Sequence, residues 1–315
     1  MKTTQTSSNS YTNQMVKDQI SVSVVMITYN QEDFIRQSIE SVLNQEVDFN
    51  LEVIVADDNS NDKTSSIIND IILNNKKSNC ITYIRNKTNV GSFKNIKNAL
   101  SKVTGDFIAF CEGDDFYCKT NHLQLLAEGF LRRPDIGMVS STYITESSKG
   151  DIASSKINKS IHDVNDIFFD RQFHISSSMI KYKDLANLLA KFKSSENLKY
   201  LLDKSIMINS ALNGEILVID NKSFYHRFQK GVTSNKKFSQ DIHLEKNICF
   251  LEITKSYSKA KKLNVMFEVD ILISKINLGS NLLYFIRNFP FYKFILYYPN
   301  KLNFFQKHIL KYFNG

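Results

Sequence analysis

Residues 111–117, CEGDDFY, set Glu112, Asp114 and Asp115 side by side directly after the apolar run DFIAF. Carboxylates crowded at a strand end need a cation or water to relieve them. Mg2+ or Mn2+ takes hard oxygen ligands, and one or two carboxylates suffice when phosphate oxygens and water complete the coordination. Adjacent aspartates after a buried strand therefore suit a metal–diphosphate site. The competing use is a solvated turn in which Asp115 caps the next helix. DDNSNDKT, residues 57–64, poses the same choice. Asp58 could accept from a base N–H and Asp57 from a ribose hydroxyl; alternatively either precedes an Asx-turn. Ser60 is assigned to capping the following helix, with Asp62 at its positive end.

The elements that must position these groups follow from periodicity. VSVVMIT (22–28), LEVIVA (51–56), ITYI (81–84) and DFIAFC (106–111) are short β-branched or apolar runs of buried-strand type. Between them, apolar residues at helical spacing mark three helices: Ile35, Ile39, Val42 and Leu43; Ile67, Ile68, Ile71 and Ile72; Phe93, Ile96, Leu100 and Val103. Such alternation predicts a mostly parallel sheet with helices on both faces and right-handed crossovers. Ligands bind such sheets beyond the carboxyl ends of the strands. TYNQE (28–32), DDNS (57–60) and EGDD (112–115) all sit there.

Further along, a helix is expected at 119–132, strands at 137–145 and 174–180, a helix at 203–213 ending at Gly214, and a strand pair EILVI and SFYHRF. From 239 onward the reading is helical. The domain expectation is a polar segment (1–20), a nucleotide-binding half (21–118), an acceptor-binding half (119–238) and a C-terminal extension (239–315).

TYNQEDF contains no glycine, which argues against the GxGxxG turn of a dinucleotide-binding domain and against a nucleotidyltransferase, the alternative enzyme reading, which would need a glycine-rich phosphate loop there. No GxxxxGK[ST] is present, so a P-loop ATPase is excluded as well. The polar N-terminus lacks a secretory apolar core, and a cytoplasmic protein is expected. Cys80, Cys111, Cys118 and Cys249 show no CxxC spacing, so free thiols are expected.

The formal charge of +8 belongs to the tail: residues 271–315 carry six Lys or Arg and no acid. Twelve of the chain's Phe and Tyr residues lie in 281–315 among those cations. No uncharged run there is long enough to span a bilayer. The segment suits peripheral contact with an anionic membrane, which would place the protein on the inner face of the cell membrane; packing onto the protein or across a homodimer uses the same aromatics. No nucleic-acid module accompanies them, and no nucleic-acid partner is expected.

The ordered segments VSVVMITYN, VIVADDNSNDKT, NVGSFKN and GDFIAFCEGDD closely resemble the family 2 glycosyltransferases of GT-A fold, and CEGDD resembles the variant found in bacterial surface-polysaccharide enzymes. The resemblance implies a metal-dependent, inverting transferase that moves a hexosyl or N-acetylhexosaminyl group from a nucleotide-sugar, a UDP-sugar, to a glycan or lipid-linked acceptor. It implies that Thr28, Tyr29 and Asp58 contact the base with Asp57 beside it, and that Asn30 and Glu32 lie nearby. Glu112 and Asp114 would face the ribose and metal, and Asp114 and Asp115 would bind Mn2+ or Mg2+. Lys94 and Asn95 match a segment near the diphosphate, although a helix-surface lysine fits Lys94 equally.

In related sequences an aspartate opens a helix and a glycine follows eleven residues later, as Asp203 and Gly214 do here. Asp203 is the candidate base; a helix-start acid favoured by the dipole is the alternative. The family's YRxH followed by GV appears as YHRFQKGV (225–232), so His226 and Arg227 exchange order and Phe228 takes the histidine position. His226 could supply the third metal ligand by a register shift, but a strand histidine facing solvent is the expectation. A scaffold protein with a decayed transferase fold would have lost these carboxylates.

Overall fold

The computed structural model describes residues 20–146, 150–157, 159–164, 166, 174–191, 202–227, 250, 251, 253 and 254. The chain divides into two compact units, Met1–Ser195 with Leu202–Ser234, and Glu196–Leu201 with Asn235–Gly315. Every described strand belongs to the first unit. In the second, residues 250, 251, 253 and 254 are helical, and the tail from 271 lies outside the described residues.

The first unit opens with β1 (Ser21–Thr28), α1 (Ile35–Leu43), β2 (Asn50–Asp57), α2 (Thr64–Asn74), β3 (Ile81–Arg85), α3 (Ser92–Leu100) and β4 (Phe107–Phe110). Then come β5 (Phe116–Tyr117), α4 (His122–Arg132), β6 (Met138–Glu146), β7 (Ile152–Ser154) and β8 (Ile161–His162). β9 (Ser178–Lys181), α5 (Tyr182–Lys191), α6 (Leu202–Asn213) and β10 (Ile216–His226) complete it. One sheet runs β3-β2-β1-β4-β9-β6-β10-β5.

Strand β1 lies between β2 and β4, parallel to both, with Val24 opposite Val53 on one side and Ala109 on the other. Val22, Val24 and Met26 are fully buried in one core cluster with Ile35, Ile39 and Val42 of α1. Val25, Ile54 and Ile108 are buried too. Residues of opposite parity point to opposite faces of a strand, so both faces are covered, as continuous apolar strands require. β9 is antiparallel to β4 and to β6, so the sheet is mixed beyond its parallel half.

Several local expectations are corrected. EILVI and SFYHRF are one strand, β10, whose register with β6 shifts between Ile219 and Phe224. Asp220-Asn221-Lys222 reads as a turn in sequence. Here the Thr142 hydroxyl oxygen accepts from the amides of Asn221 (3.1 Å) and Lys222 (3.0 Å), and Lys222 takes φ +45°, so the polar triplet becomes a bulge within the strand. Residues 175–177 of the predicted strand HISSSMI form a 3-10 turn before β9. The 119–132 helix begins at His122, and Val103 falls beyond the end of α3. β7, β8 and α5 carried no sequence expectation.

Candidate active site

Loops after β1 and β2 are laced together before any ligand is considered. Asn30, at φ +52°, donates its backbone N–H to Ser60 Oγ (3.0 Å) and accepts from the Asn61 amide through its side chain (2.8 Å). The Gln31 N–H reaches Thr64 Oγ1 (2.8 Å), and Glu32 accepts from the Lys63 N–H (2.8 Å). Thr28 is buried and donates to Gln31 Oε1 (2.7 Å), while Tyr29 is half-buried. Ser60 is not the helix cap: α2 begins at Thr64, and Ser60 instead bridges Asn30 and Asp57. Asp62 accepts from the Thr64 amide (2.9 Å) and is held below the usual carboxylate range by that hydrogen bonding against a desolvation that opposes it.

Asp57 and Asp58 face protein groups. Fully buried Asp57 accepts from the Ser60 N–H (2.9 Å) and hydroxyl (2.5 Å), from Ser65 and from Tyr83 (3.1 Å), with Arg85 3.6 Å away. Asp58 accepts from Asn86 Nδ2 and from the amides of Val90 and Gly91, each at 2.8 Å, which draws the NVGSFKN loop against the end of β2. Asn95 is buried; its amide donates to the Ala56 carbonyl (2.8 Å) and accepts from Asn86 (2.9 Å). Its visible work is holding that loop. Lys94 is exposed on α3, and among the described residues no hydrogen bond or ion pair joins it to the carboxylate turn.

EGDD packs directly on the first loop. A Cβ on Gly113 would stand 2.3 Å from Gln31 Oε1 and 2.9 Å from Thr28, so any side chain here forces those groups to shift. Ser38 of α1 donates to the Gly113 carbonyl (2.8 Å), and the Asp115 N–H closes the turn on the Glu112 carbonyl (3.0 Å). The helix-cap reading of Asp115 is not realised. Asp115 is fully buried, and its carboxylate accepts from the Arg227 amide (2.9 Å) and lies 3.2 Å from His226 Nδ1.

His226 does not simply face solvent, contrary to expectation: half-buried, it ends β10 with its ring on Asp115 and stacked 4.7 Å from His174. The Asp115 hydrogen bond raises its pKa against desolvation. Burial pulls His174 down to about 4.

Two donor groupings result. Glu112, Asp114 and Asp115 each offer an oxygen within 4.8 Å of the others, and Asp115, His174 and His226 do the same with one oxygen and two ring nitrogens. His174 Nδ1 already accepts from the Ser176 N–H (3.2 Å), so the oxygen set and His226 fit a divalent cation better than His174 does. Desolvation first, then the neighbouring acids, pushes Glu112 well above the usual range, and Asp114 is raised for the same reasons. A cation is what would relieve both. Asp203, exposed at the start of α6, is near enough for its charge to be felt at Glu112 and His174. Thus His226, more than a hundred positions beyond the turn, meets it through Asp115, and the charge of Asp203, some ninety positions beyond, reaches it.

Sequence reading missed His174 and Arg227 as members of the site. His174 sits 59 positions beyond Asp115 in sequence, so no spacing could reveal it. The exchanged order in YHRF was the only signal for Arg227.

The model of the family described as Glycosyl transferase family 2 matches residues 23–184. The chain spans 32% of the length of the first curated relatives it matches. An uncharacterized glycosyltransferase of Haemophilus influenzae is 27% identical over 221 residues, 70% of this chain and 84% of that protein. Among solved structures, S. aureus TarS 1–349 in complex with UDP-GlcNAc aligns at 20% identity and TM-score 0.62, covering 82% of this chain and 73% of that one. The Pyrobaculum calidifontis mannosyltransferase PcManGT, in complex with GDP-Man and Mn2+, aligns at 14% identity and TM-score 0.51, covering 90% and 83%. At these identities the likeness is one of fold, and it makes the sheet a GT-A sheet.

Proposed function

This chain belongs to glycosyl transferase family 2, and from that premise we propose that it moves a sugar from a nucleotide-sugar, a UDP-sugar, to a glycan or lipid-linked acceptor with inversion. The observation that carries this reading is the convergence of Glu112, Asp114 and Asp115 with His226 and Asp203 at one end of the sheet. UDP-GlcNAc in the TarS complex supports a nucleotide-sugar donor, and Mn2+ in the PcManGT complex supports a metal.

Asp114 and Asp115 would hold Mn2+ or Mg2+, with His226 beside them and Glu112 facing the ribose or metal. The ion, when bound, offsets the charge of the departing diphosphate. Asp58, with Thr28 and Tyr29, borders the base subsite, and Asp57, Asn30, Glu32 and Asn95 keep its loops in place. Lys94 stands at the rim. Asp203 takes the proton from the acceptor hydroxyl; its exposure at the α6 start leaves room for an acceptor to approach.

A role in surface-polysaccharide synthesis, with the 271–315 segment holding the enzyme on the inner membrane face, is the setting in which a lipid-linked acceptor is reached. The test is UDP release from a panel of UDP-sugars with a cell-derived acceptor pool, with and without Mn2+. Metal-dependent turnover is expected, and Asp203→Asn should lower kcat by about 10²- to 10⁴-fold while UDP affinity stays unchanged. Equal turnover after chelation would sink the metal assignment, and full activity in D203N would sink the base.

A further inference from the structure

We propose that Arg227 is a second cation of this site, a guanidinium that grips the diphosphate of the donor; the inference rests on the nucleotide-sugar reading above. Arg227 follows directly on His226, and its own amide serves the Asp115 carboxylate (2.9 Å). Its side chain turns back across the carboxylate turn. Nη1 donates to the Asp114 carbonyl and Nη2 to Gln37 Oε1 of α1. Its guanidinium carbon lies over two rings, 4.6 Å from the Phe116 centroid and 5.1 Å from that of Phe34.

This cradle fixes the fork without exhausting it. An arginine presents five N–H donors, and among the described residues only two of its nitrogens are engaged, each once. Guanidinium N–H groups lie in the plane of the group, so the unused donors point outward in that plane beside the two rings. That is the geometry in which arginine binds phosphate oxygens through parallel hydrogen bonds. Partial burial lowers the guanidinium pKa, but from so high a start that the charge remains.

Charge balance asks for such a group. A departing nucleoside diphosphate carries more negative charge than one divalent ion offsets, and Glu112, Asp114 and Asp115 add to the excess. His226 and Arg227 are the cations whose charge is felt most at Asp114. A lysine in its place would keep the charge but lose the planar fork and its seat against Phe34 and Phe116.

The experiment compares nucleotide with nucleoside. Wild type, Arg227→Met and Arg227→Lys are titrated with UDP and GDP by calorimetry and with uridine and guanosine by saturation-transfer NMR, all with Mn2+. A diphosphate grip predicts a loss of about ten- to a hundredfold in nucleotide affinity for R227M, a smaller loss for R227K, and unchanged nucleoside affinity. Equal nucleotide affinity in all three proteins overturns the proposal. So does a parallel loss of nucleotide and nucleoside in R227K, which marks a latch for the turn; R227K decides if R227M loses its melting transition. Wild type binding neither nucleotide would instead overturn the nucleotide-sugar reading itself.

Discussion

His122 stands with Nδ1 2.6 Å from the Ser223 hydroxyl and its ring 4.3 Å from Tyr117, fully buried, which pulls its pKa down to about 3. In the unfolded chain the same imidazole titrates near 6.5. Between these values the unfolded chain binds a proton that the folded one does not. The stability at stake is therefore complete above pH 6.5 and falls as pH drops toward 3, by up to about 1.4 kcal/mol per unit. Urea unfolding at pH 7.5, 6 and 5 should show this decline, and His122→Phe should make it shallower, leaving the share due to His174. An unchanged slope in H122F would contradict the assignment. Residue types were legible at this scale; their partners were not. Asp57, Asp58 and Asn95 stand where the sequence motif places them, yet their carboxylates and amide are engaged by Ser60, Val90, Gly91, Asn86 and Ala56. Ser60 is only three positions from Asp57, but Val90, Gly91 and Ala56 lie more than thirty positions from the groups they meet, and such partners leave no local pattern.

At the scale of elements, two glycines show where backbones meet. Gly113 lets EGDD close on the loop after β1, and Gly214 lets the end of α6 touch the start of β6, where a Cβ would stand 2.3 Å from the Asp135 carbonyl oxygen and 2.4 Å from the Gly137 amide. Gly113→Ala meets a side-chain amide that can rotate, so a cost of about 1–3 kcal/mol is expected, with weakened Mn2+ binding as the turn shifts. Gly214→Ala meets backbone and should be the more destabilising in a thermal melt. The reverse order would show that the turn, not the α6 end, is the rigid contact. The first four strands and three helices were readable because each has one uninterrupted pattern. β10 was not, since the Asp220–Lys222 bulge looks like a turn until Thr142 of β6 binds its amides.

For the whole molecule, charge is the quantity that matters. The cations of 271–315 have no acids among them, and interleaved aromatics suit a headgroup layer. No helix among the described residues is long and apolar enough to cross a membrane. Removing 271–315 should abolish co-sedimentation with vesicles containing anionic lipid and leave UDP affinity intact. Undiminished co-sedimentation would remove the tail from the membrane reading.

The order of strand ends, the missing phosphate-loop glycines and the acids after the fourth strand were determined by sequence alone, because each depends on neighbours within a few positions. Only the tertiary structure decided that His226 turns onto Asp115, that Arg227 lies against Phe34 and Phe116, and that Asp203 shares their field. Those residues lie from about ninety to nearly two hundred positions apart, and only the packing of β10 and α6 brings them to the turn.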